Sequence, residues 1–244
     1  MGLQSRIKEN SRRISDATAG SPDYFELATT NLSLYRALRA AAERHARGRL
    51  LDAGAGRMAY RAMLEEFCAS YETLDIASLP AGGAGPAEGL DHVTDLQRTG
   101  LPSAQYDSIF CTQVLHALPE PELALREIAR LLKPGGAAIL SVPHLVWLHN
   151  EPHDYWRFTG HGLRHLLEKA GLRLVCVEPV GGLICFLAYA PSTAALALLW
   201  PVRPAFRAAL LINRVFIRLA LLADRWFGLK SLYPANFIAV AEKT

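Results

Sequence analysis

The sequence predicts an α/β protein built on a doubly wound parallel sheet that helices cover on both faces. Short apolar runs alternate with helical stretches over residues 48–180. Several of these runs have continuous apolar centres, as is typical of buried parallel strands. In addition, 51% of the 244 residues are hydrophobic, which is enough for a sizeable core.

Each predicted strand is a short apolar run bounded by turn-forming residues. The strands are expected at 49–53, 71–76, 91–96, 106–112, 137–143, 172–178 and 236–242. Helices are expected at 23–46, 58–68, 119–132, 160–170 and 204–228. Lys133-Pro134-Gly135-Gly136 ends the third of these helices, and Thr159 is a suitable cap for the fourth. Residues 1–22 are polar and predicted to be loose, and 80–89 is a Gly/Pro/Ala loop.

Three segments follow from this pattern. Residues 1–47 are predicted as an N-terminal helical cover, and 48–180 with 234–244 as the core domain. Residues 181–233 are predicted as a hydrophobic and basic helical insertion before the last strand. Because that insertion leaves the carboxyl end of a parallel strand, we expect it to start on the face where such sheets bind ligands.

Charge and cysteine usage exclude several classes of protein. The net charge of +3 does not indicate nucleic-acid binding, although both ends of the chain are basic and the middle is acidic. The four cysteines form no CxxC pair, which predicts buried thiols in a reducing compartment rather than disulfides or zinc ligands. The first residues lack the apolar core of a secretory signal, so a cytoplasmic location is expected.

A ligand site is predicted at the carboxyl ends of the first three strands. The first strand ends in Asp52-Ala53-Gly54-Ala55-Gly56, where the two glycines permit a tight turn close to a ligand. Asp75 follows about twenty residues later, in the position of an acid that binds ribose hydroxyls. Asp95 ends the third strand and is a suitable acceptor for an adenine amino group.

Asp52 separates two kinds of cofactor. A carboxylate beside the glycine turn repels a pyrophosphate but attracts a sulfonium and an ammonium group. It therefore disfavours an NAD-dependent or nucleotide-sugar enzyme, which stays as the alternative.

The motifs together resemble the class I S-adenosylmethionine-dependent methyltransferases, in particular methyltransferase type 11. The similar segments are LLDAGAG at 50–56, LDI at 74–76, VTDL at 93–96 and the stretch 106–136, which ends in LKPGG. The resemblance implies a seven-stranded, mostly parallel sheet whose last strand is antiparallel and lies between the fifth and sixth. It also implies that S-adenosyl-L-methionine is the cofactor and S-adenosyl-L-homocysteine the product.

The same resemblance assigns cofactor-binding roles to residues of this chain. Asp52, Gly54 and Gly56 are expected to line the methionine part of the cofactor, and Asp75 and Ile76 to bind its ribose. Asp95 and Leu96 are expected to bind the adenine, and Thr112 and Gln113 to flank the cofactor on the side that faces the acceptor. Many relatives carry a histidine where this chain has Ala117, so a histidine function in that loop depends on His116 alone.

The acceptor side is predicted in the segment 143–159, PHLVWLHNEPHDYWRFT. The candidate catalytic residues are His116, His149, His153, Asp154, Tyr155 and Arg157. The histidines are candidate bases, Asp154 would orient one of them, and Tyr155 and Arg157 would hold a polar acceptor. No metal site is expected, because Pro152 prevents the helix that would place His149 and His153 side by side. Simple packing of this loop is the other interpretation.

The insertion combines an uncharged stretch with an arginine-rich helix. Residues 179–202 carry no charge, but Pro191-Ser192-Thr193 divides them into halves too short to cross a membrane. In 204–228, four arginines fall within an arc of about 40° on an otherwise apolar helix. Such a helix fits an anionic membrane surface, through 203–228, or packs on the domain or on a second copy in a homodimer.

The sequence therefore favours an S-adenosylmethionine-dependent methyltransferase. The expected acceptor is a hydroxyl of a sugar, a lipid-linked glycan or a small metabolite. A membrane-peripheral cofactor-binding protein without turnover is a further alternative.

Overall fold

The structure is a computed structural model that describes residues 2–77, 89–148 and 152–244. The predicted loop at 80–89 lies outside these residues, apart from Gly89. The chain divides into two compact units, one made of residues 1–36 and 180–235 and the other of residues 37–179 and 236–244.

The second unit contains the predicted seven-stranded sheet. Its strands are β1 (Arg49–Ala53), β2 (Ser70–Asp75), β3 (His92–Val93), β4 (Tyr106–Thr112), β5 (Leu132–Pro143), β6 (Leu172–Val180) and β7 (Asn236–Lys243). The strand order is β3-β2-β1-β4-β5-β7-β6. The pairs β1/β2, β1/β4, β2/β3 and β4/β5 are parallel, whereas β7 runs antiparallel to β5. This arrangement confirms the predicted fold class.

The helices follow the chain in the predicted order. They are α1 (Leu3–Thr18), α2 (Pro22–Phe25), α3 (Thr29–His45), α4 (Arg61–Leu64), α5 (Pro121–Leu131), α6 (Gly160–Lys169), α7 (Leu183–Leu199) and α8 (Arg203–Phe227). Apolar side chains of α5 and α6 are buried against the sheet in one large core. The Thr159 hydroxyl caps α6 by accepting a hydrogen bond from the Gly162 amide at 3.0 Å, as predicted.

The ends of several elements differ from the prediction. The expected helix at 23–46 is divided into α2 and α3, the expected helix at 58–68 is reduced to α4, and the expected strand at 91–96 is reduced to β3. The Lys133-Pro134-Gly135-Gly136 turn ends the preceding helix, but the chain there is already extended as the start of β5. The cause is pairing with β4, whose register shifts between Tyr106 and Ser108 and accommodates the glycines.

Residues 3–18 form α1 instead of the expected loose segment. This helix is stabilised by a small core in which Ile14 packs with Leu27, Leu196 and Phe206. The Asn10 side-chain amide also donates a hydrogen bond to the Ala197 carbonyl at 2.9 Å. Because these contacts come from residues far along the chain, local polarity did not predict the helix.

The insertion is helical throughout its two main segments. α7 runs without interruption through Pro191, so the predicted division at that residue is wrong. The Thr193 hydroxyl donates to the Tyr189 carbonyl at 2.9 Å, and packing of α7 against α8 and α1 supports the helix on either side. No helix within the described residues is long and apolar enough to cross a membrane.

Candidate functional site

The glycine turn after β1 is fixed between β2 and the loop after β4. The Gly54 and Ala55 amides donate to the Leu74 carbonyl at 2.7 and 3.1 Å. Gly54 has a φ of +82°, and a Cβ at this position would lie 2.2 Å from Cγ2 of Val114. Only glycine fits here, because both the backbone conformation and the contact exclude a side chain.

Asp75 holds the other side of this turn. One carboxylate oxygen accepts the Gly56 amide and the other accepts the Ile76 amide, each at 2.7 Å. Burial raises the pKa of Asp75, while these two hydrogen bonds act in the opposite direction. A carboxylate has about four acceptor positions, so Asp75 retains acceptor capacity for two hydroxyl groups.

Asp52 is buried rather than projecting as an open anion over the sheet edge. Its exposed fraction is 2%, and the Tyr71 hydroxyl donates to Oδ2 at 2.7 Å. Burial raises the pKa of Asp52 to about 7, and the nearby charge of Asp75 adds to this effect. Its negative charge near neutral pH is therefore partial, so Asp52 attracts a cationic ligand less strongly than the sequence predicts.

The predicted adenine residues occupy two different environments. Asp95 is exposed two residues beyond β3, and its Oδ1 accepts the Gln97 amide at 2.8 Å. The Leu96 side chain is buried in the main core. The Asp95 side chain is therefore accessible from solvent, whereas the Leu96 side chain is part of the core.

A polar cluster lies at the end of β4. The hydroxyls of Thr112 and Ser141 are hydrogen-bonded. The Gln113 side-chain amide donates to Ser141 Oγ at 3.1 Å and to Asn236 Oδ1 at 3.2 Å. Gln113 also has a φ of +55°, a left-handed conformation that is uncommon outside glycine and often marks functional sites.

Sequence reasoning missed Tyr71, Val114, Ser141 and Asn236. Ser141 and Asn236 carried a usable signal, because each places a polar side chain in an apolar strand at the ligand edge of the sheet. Tyr71 and Val114 carried none, since their importance depends on contacts with residues distant in sequence.

The predicted acceptor segment is attached to the loop after β4. His116 is buried in a short 3₁₀ turn, and its carbonyl accepts the amides of Tyr155 and Trp156 at 3.0 and 3.2 Å. The Trp156 indole donates to the Leu118 carbonyl at 2.9 Å. Since Val114 of the same loop contacts Gly54, this loop joins the predicted cofactor and acceptor sides.

Asp154 and Arg157 form a bidentate pair within the acceptor segment. The two guanidinium–carboxylate distances are 2.6 and 2.8 Å, and the Asp154 side chain is buried. The remaining N–H groups of Arg157 donate to the carbonyls of Val146, Trp147 and Trp156. All five donors are engaged, so the expected role of Arg157 in holding an acceptor would cost one of these bonds.

The other candidate catalytic residues differ in position. The His153 ring lies with Nδ1 3.4 Å from the Tyr155 hydroxyl, and Tyr155 is 47% exposed. His149 lies outside the described residues. The structure thus brings His116, His153, Asp154, Tyr155 and Arg157 into one loop assembly. Within it the Tyr155 side chain is exposed, whereas Nε2 of His153 is buried.

Comparison with known proteins identifies the family. Residues 31–177, more than half of the chain, match the methyltransferase domain family. A ubiquinone biosynthesis O-methyltransferase of Escherichia coli O9:H4 (strain HS) is 28% identical over 98 residues, which are 40% of this chain and 38% of that protein. The chain spans only 3% of the length of two other curated relatives that it matches.

Solved structures share the fold. The [4+2]-cyclase SpnF has a TM-score of 0.57 and 20% identity, over 87% of this chain and 82% of that chain. The 1,6-didemethyltoxoflavin-N1-methyltransferase of Burkholderia thailandensis, solved with 1,6-didemethyltoxoflavin and S-adenosylhomocysteine, has a TM-score of 0.53 and 19% identity. That match covers 97% of this chain and 88% of the other.

Proposed function

The chain belongs to the methyltransferase domain family, and we propose that it transfers a methyl group from S-adenosylmethionine to a hydroxyl of a sugar, lipid-linked or small-metabolite acceptor. The relation to an O-methyltransferase supports oxygen as the methylated atom. Bound S-adenosylmethionine supplies a methyl group on a cationic sulfur and becomes S-adenosylhomocysteine.

The residues around the glycine turn fit this cofactor. A Cβ at Gly56 would enter open space, so the backbone there leaves room for a ligand to approach. Asp75 offers acceptor positions for ribose hydroxyls, and Asp95, which is exposed, is the proposed acceptor for the adenine amino group. Asp52, when ionised, favours the cationic end of the ligand.

His153 is the proposed base. A hydroxyl must lose its proton as the new bond forms, so a neutral imidazole within reach accelerates the reaction. The 3.4 Å approach of His153 to the Tyr155 hydroxyl gives the imidazole a partner that fixes its orientation. The Asp154–Arg157 pair would position this segment. The Arg157 guanidinium binds the carbonyls of Val146 and Trp147 at the start of the segment and that of Trp156 near its end.

The observation that supports the proposal most directly is the shared loop after β4. Val114 of that loop packs on the glycine turn, and the His116 carbonyl binds the segment that carries His153 and Tyr155. An acceptor held by that segment is therefore kept close to the cofactor side. Alignment of the two reactants is the main requirement of methyl transfer.

The experiment measures methyl transfer from labelled S-adenosylmethionine into the soluble and lipid fractions of a cell extract. His153→Gln and Tyr155→Phe are compared with His161→Gln, which changes an exposed histidine on α6. We expect His153→Gln to reduce turnover by about 10²-fold or more, while the affinity for S-adenosylhomocysteine stays unchanged. Full turnover in His153→Gln would remove His153 as the base.

Calorimetry separates the proposal from its alternatives. Binding of S-adenosylmethionine together with labelled product supports the methyltransferase. Binding without transfer to any fraction would indicate a cofactor-binding protein without turnover, and binding of NAD or a nucleotide sugar instead would contradict the proposed cofactor.

A further inference from the structure

α8 has a buried face and, opposite it, an exposed apolar face. At about 100° per residue, the buried side chains fall within an arc of about 60°. These buried residues are Phe206, Asn213, Ile217, Ala220 and Asp224. They face α7 and the N-terminal helices, since Ser192 donates to Asn213 Oδ1 at 2.8 Å and Asn213 donates to the Leu27 carbonyl at 3.0 Å.

The opposite side of α8 is exposed and apolar. We define it as the apolar face, and its six residues lie within an arc of about 100°. They are Leu211, Ile212, Val215, Leu219, Leu222 and Trp226. Ile212 is 71% exposed and Trp226 is 85% exposed. A contiguous exposed stripe of this kind marks an interaction surface.

Arginines line one edge of the apolar face. Arg203, Arg207, Arg214, Arg218 and Arg225 lie within an arc of about 60° between the buried side and the apolar face. Arg214 forms ion pairs with Asp23 of α2 and with Glu26, which caps the C-terminal end of α2. Arg218 forms an ion pair with Glu26. Arg207 and Arg225 are exposed and have no carboxylate partner in the described part of the chain. The pattern is therefore an apolar stripe beside two free positive charges.

The charge of this unit indicates which partner covers the face. Residues 1–36 and 180–235 together carry 11 Lys/Arg and 5 Asp/Glu. A second copy would bring a surface of the same sign against it, which disfavours symmetric pairing through this face. An anionic lipid surface offers the opposite charge and an apolar layer at the depth that such a helix reaches.

We propose that the apolar face of α8 binds the interface of an anionic lipid membrane, with Arg207 and Arg225 contacting lipid headgroups. α8 then lies along the membrane surface, with Trp226 in the interfacial layer. The buried side of the helix keeps its packing on α7, so binding requires no refolding. This inference is independent of the methyl acceptor.

Flotation with lipid vesicles tests the proposal on the full chain. The protein is mixed with phosphatidylcholine vesicles, with or without phosphatidylglycerol. We expect flotation with the anionic vesicles, weaker flotation at high salt, and a blue shift of fluorescence that Trp226→Phe abolishes. Arg207→Gln with Arg225→Gln should weaken binding about 25-fold, at about fivefold for each arginine.

Two matched double variants test whether vesicle binding depends on the apolar face or on exposed apolar residues in general. Ile212→Gln with Leu219→Gln changes the face, and Leu123→Gln with Val175→Gln changes exposed apolar residues of the other unit. Only the first pair should abolish flotation, while both should leave S-adenosylhomocysteine binding intact, which shows that each variant is folded.

Three results would overturn the proposal. One is a wild-type protein that does not float with anionic vesicles, and another is a face variant that floats like the wild type. The third is a dimer, seen by sedimentation velocity, that fails to bind vesicles and that Ile212→Gln with Leu219→Gln converts to monomers. That outcome would assign the apolar face to a second copy of the chain.

Discussion

Replacing Asp52 with asparagine should stabilise the protein, and the gain should increase with pH. Burial raises the pKa of this carboxyl from 3.8 to about 7. Above pH 7 the folded protein therefore holds a buried carboxylate, while the unfolded chain ionises its carboxyl already near pH 4. The folded state binds the proton more tightly, so wild-type stability falls as the pH rises from about 4 to about 7.

The size of the effect follows from the same two values. The difference between 3.8 and about 7 corresponds to about 4 kcal/mol between the protonated and ionised forms. The asparagine amide would keep an oxygen that accepts the Tyr71 hydroxyl, so Asp52→Asn removes the charge and retains that hydrogen bond. We expect a gain of about 2–4 kcal/mol at pH 8 and almost none at pH 4.

Urea unfolding without cofactor at a series of pH values measures this difference. Asp95→Asn is the control, because Asp95 is exposed and its replacement should change stability little at any pH. A gain from Asp52→Asn that shrinks as the pH rises would show that the folded state favours the ionised carboxyl. The assignment of Asp52 as a buried, partly neutral acid would then be wrong.

Other positions give sharper tests of single contacts. Gly54→Ala should lower the free energy of unfolding by about 1–3 kcal/mol in urea, because the methyl group would overlap Val114 and the backbone is left-handed. Asp75→Asn should weaken S-adenosylhomocysteine binding about tenfold or more by calorimetry, since one oxygen that accepts a backbone amide becomes a donor. Arg157→Lys should reduce turnover about tenfold without changing that affinity, because lysine cannot form the bidentate pair; an equal loss of affinity would contradict a purely positioning role. Asp224→Asn should cost about 1–3 kcal/mol in thermal or urea unfolding, since its carboxylate accepts three amides at the start of α7.

The sequence predicted the parts of the fold that depend on local patterns. The bounds of β1 and β4 match the predicted strands at 49–53 and 106–112, because the centre of each is a buried apolar run. α8 matches within a residue at each end, since Pro204 and Gly228 mark its start and stop. By contrast, α1 forms because Leu196 and Phe206 cover Ile14, and no local pattern records such a distant contact.

The candidate site was predictable in position but not in its interactions. The motifs placed Asp52, Asp75 and Asp95 at one edge of the sheet, yet they did not reveal that Asp52 is buried beneath Tyr71. Likewise, a row of polar side chains at 153–157 indicated a functional segment, but its pairings depend on how the loop folds back on His116. Burial and pairing arise from tertiary structure, so residue type alone leaves them open.

The loop after β4 is the common support of both halves of the site. Val114 of this loop packs against the glycine turn, and the Gln113 side chain is hydrogen-bonded to β5 and β7. The His116 carbonyl binds the acceptor segment. A displacement of this loop would therefore alter the cofactor turn and the acceptor segment together. The left-handed backbone at Gln113 persists because Ser141 and Asn236 hold its side chain, which explains why polar residues interrupt two apolar strands at this edge.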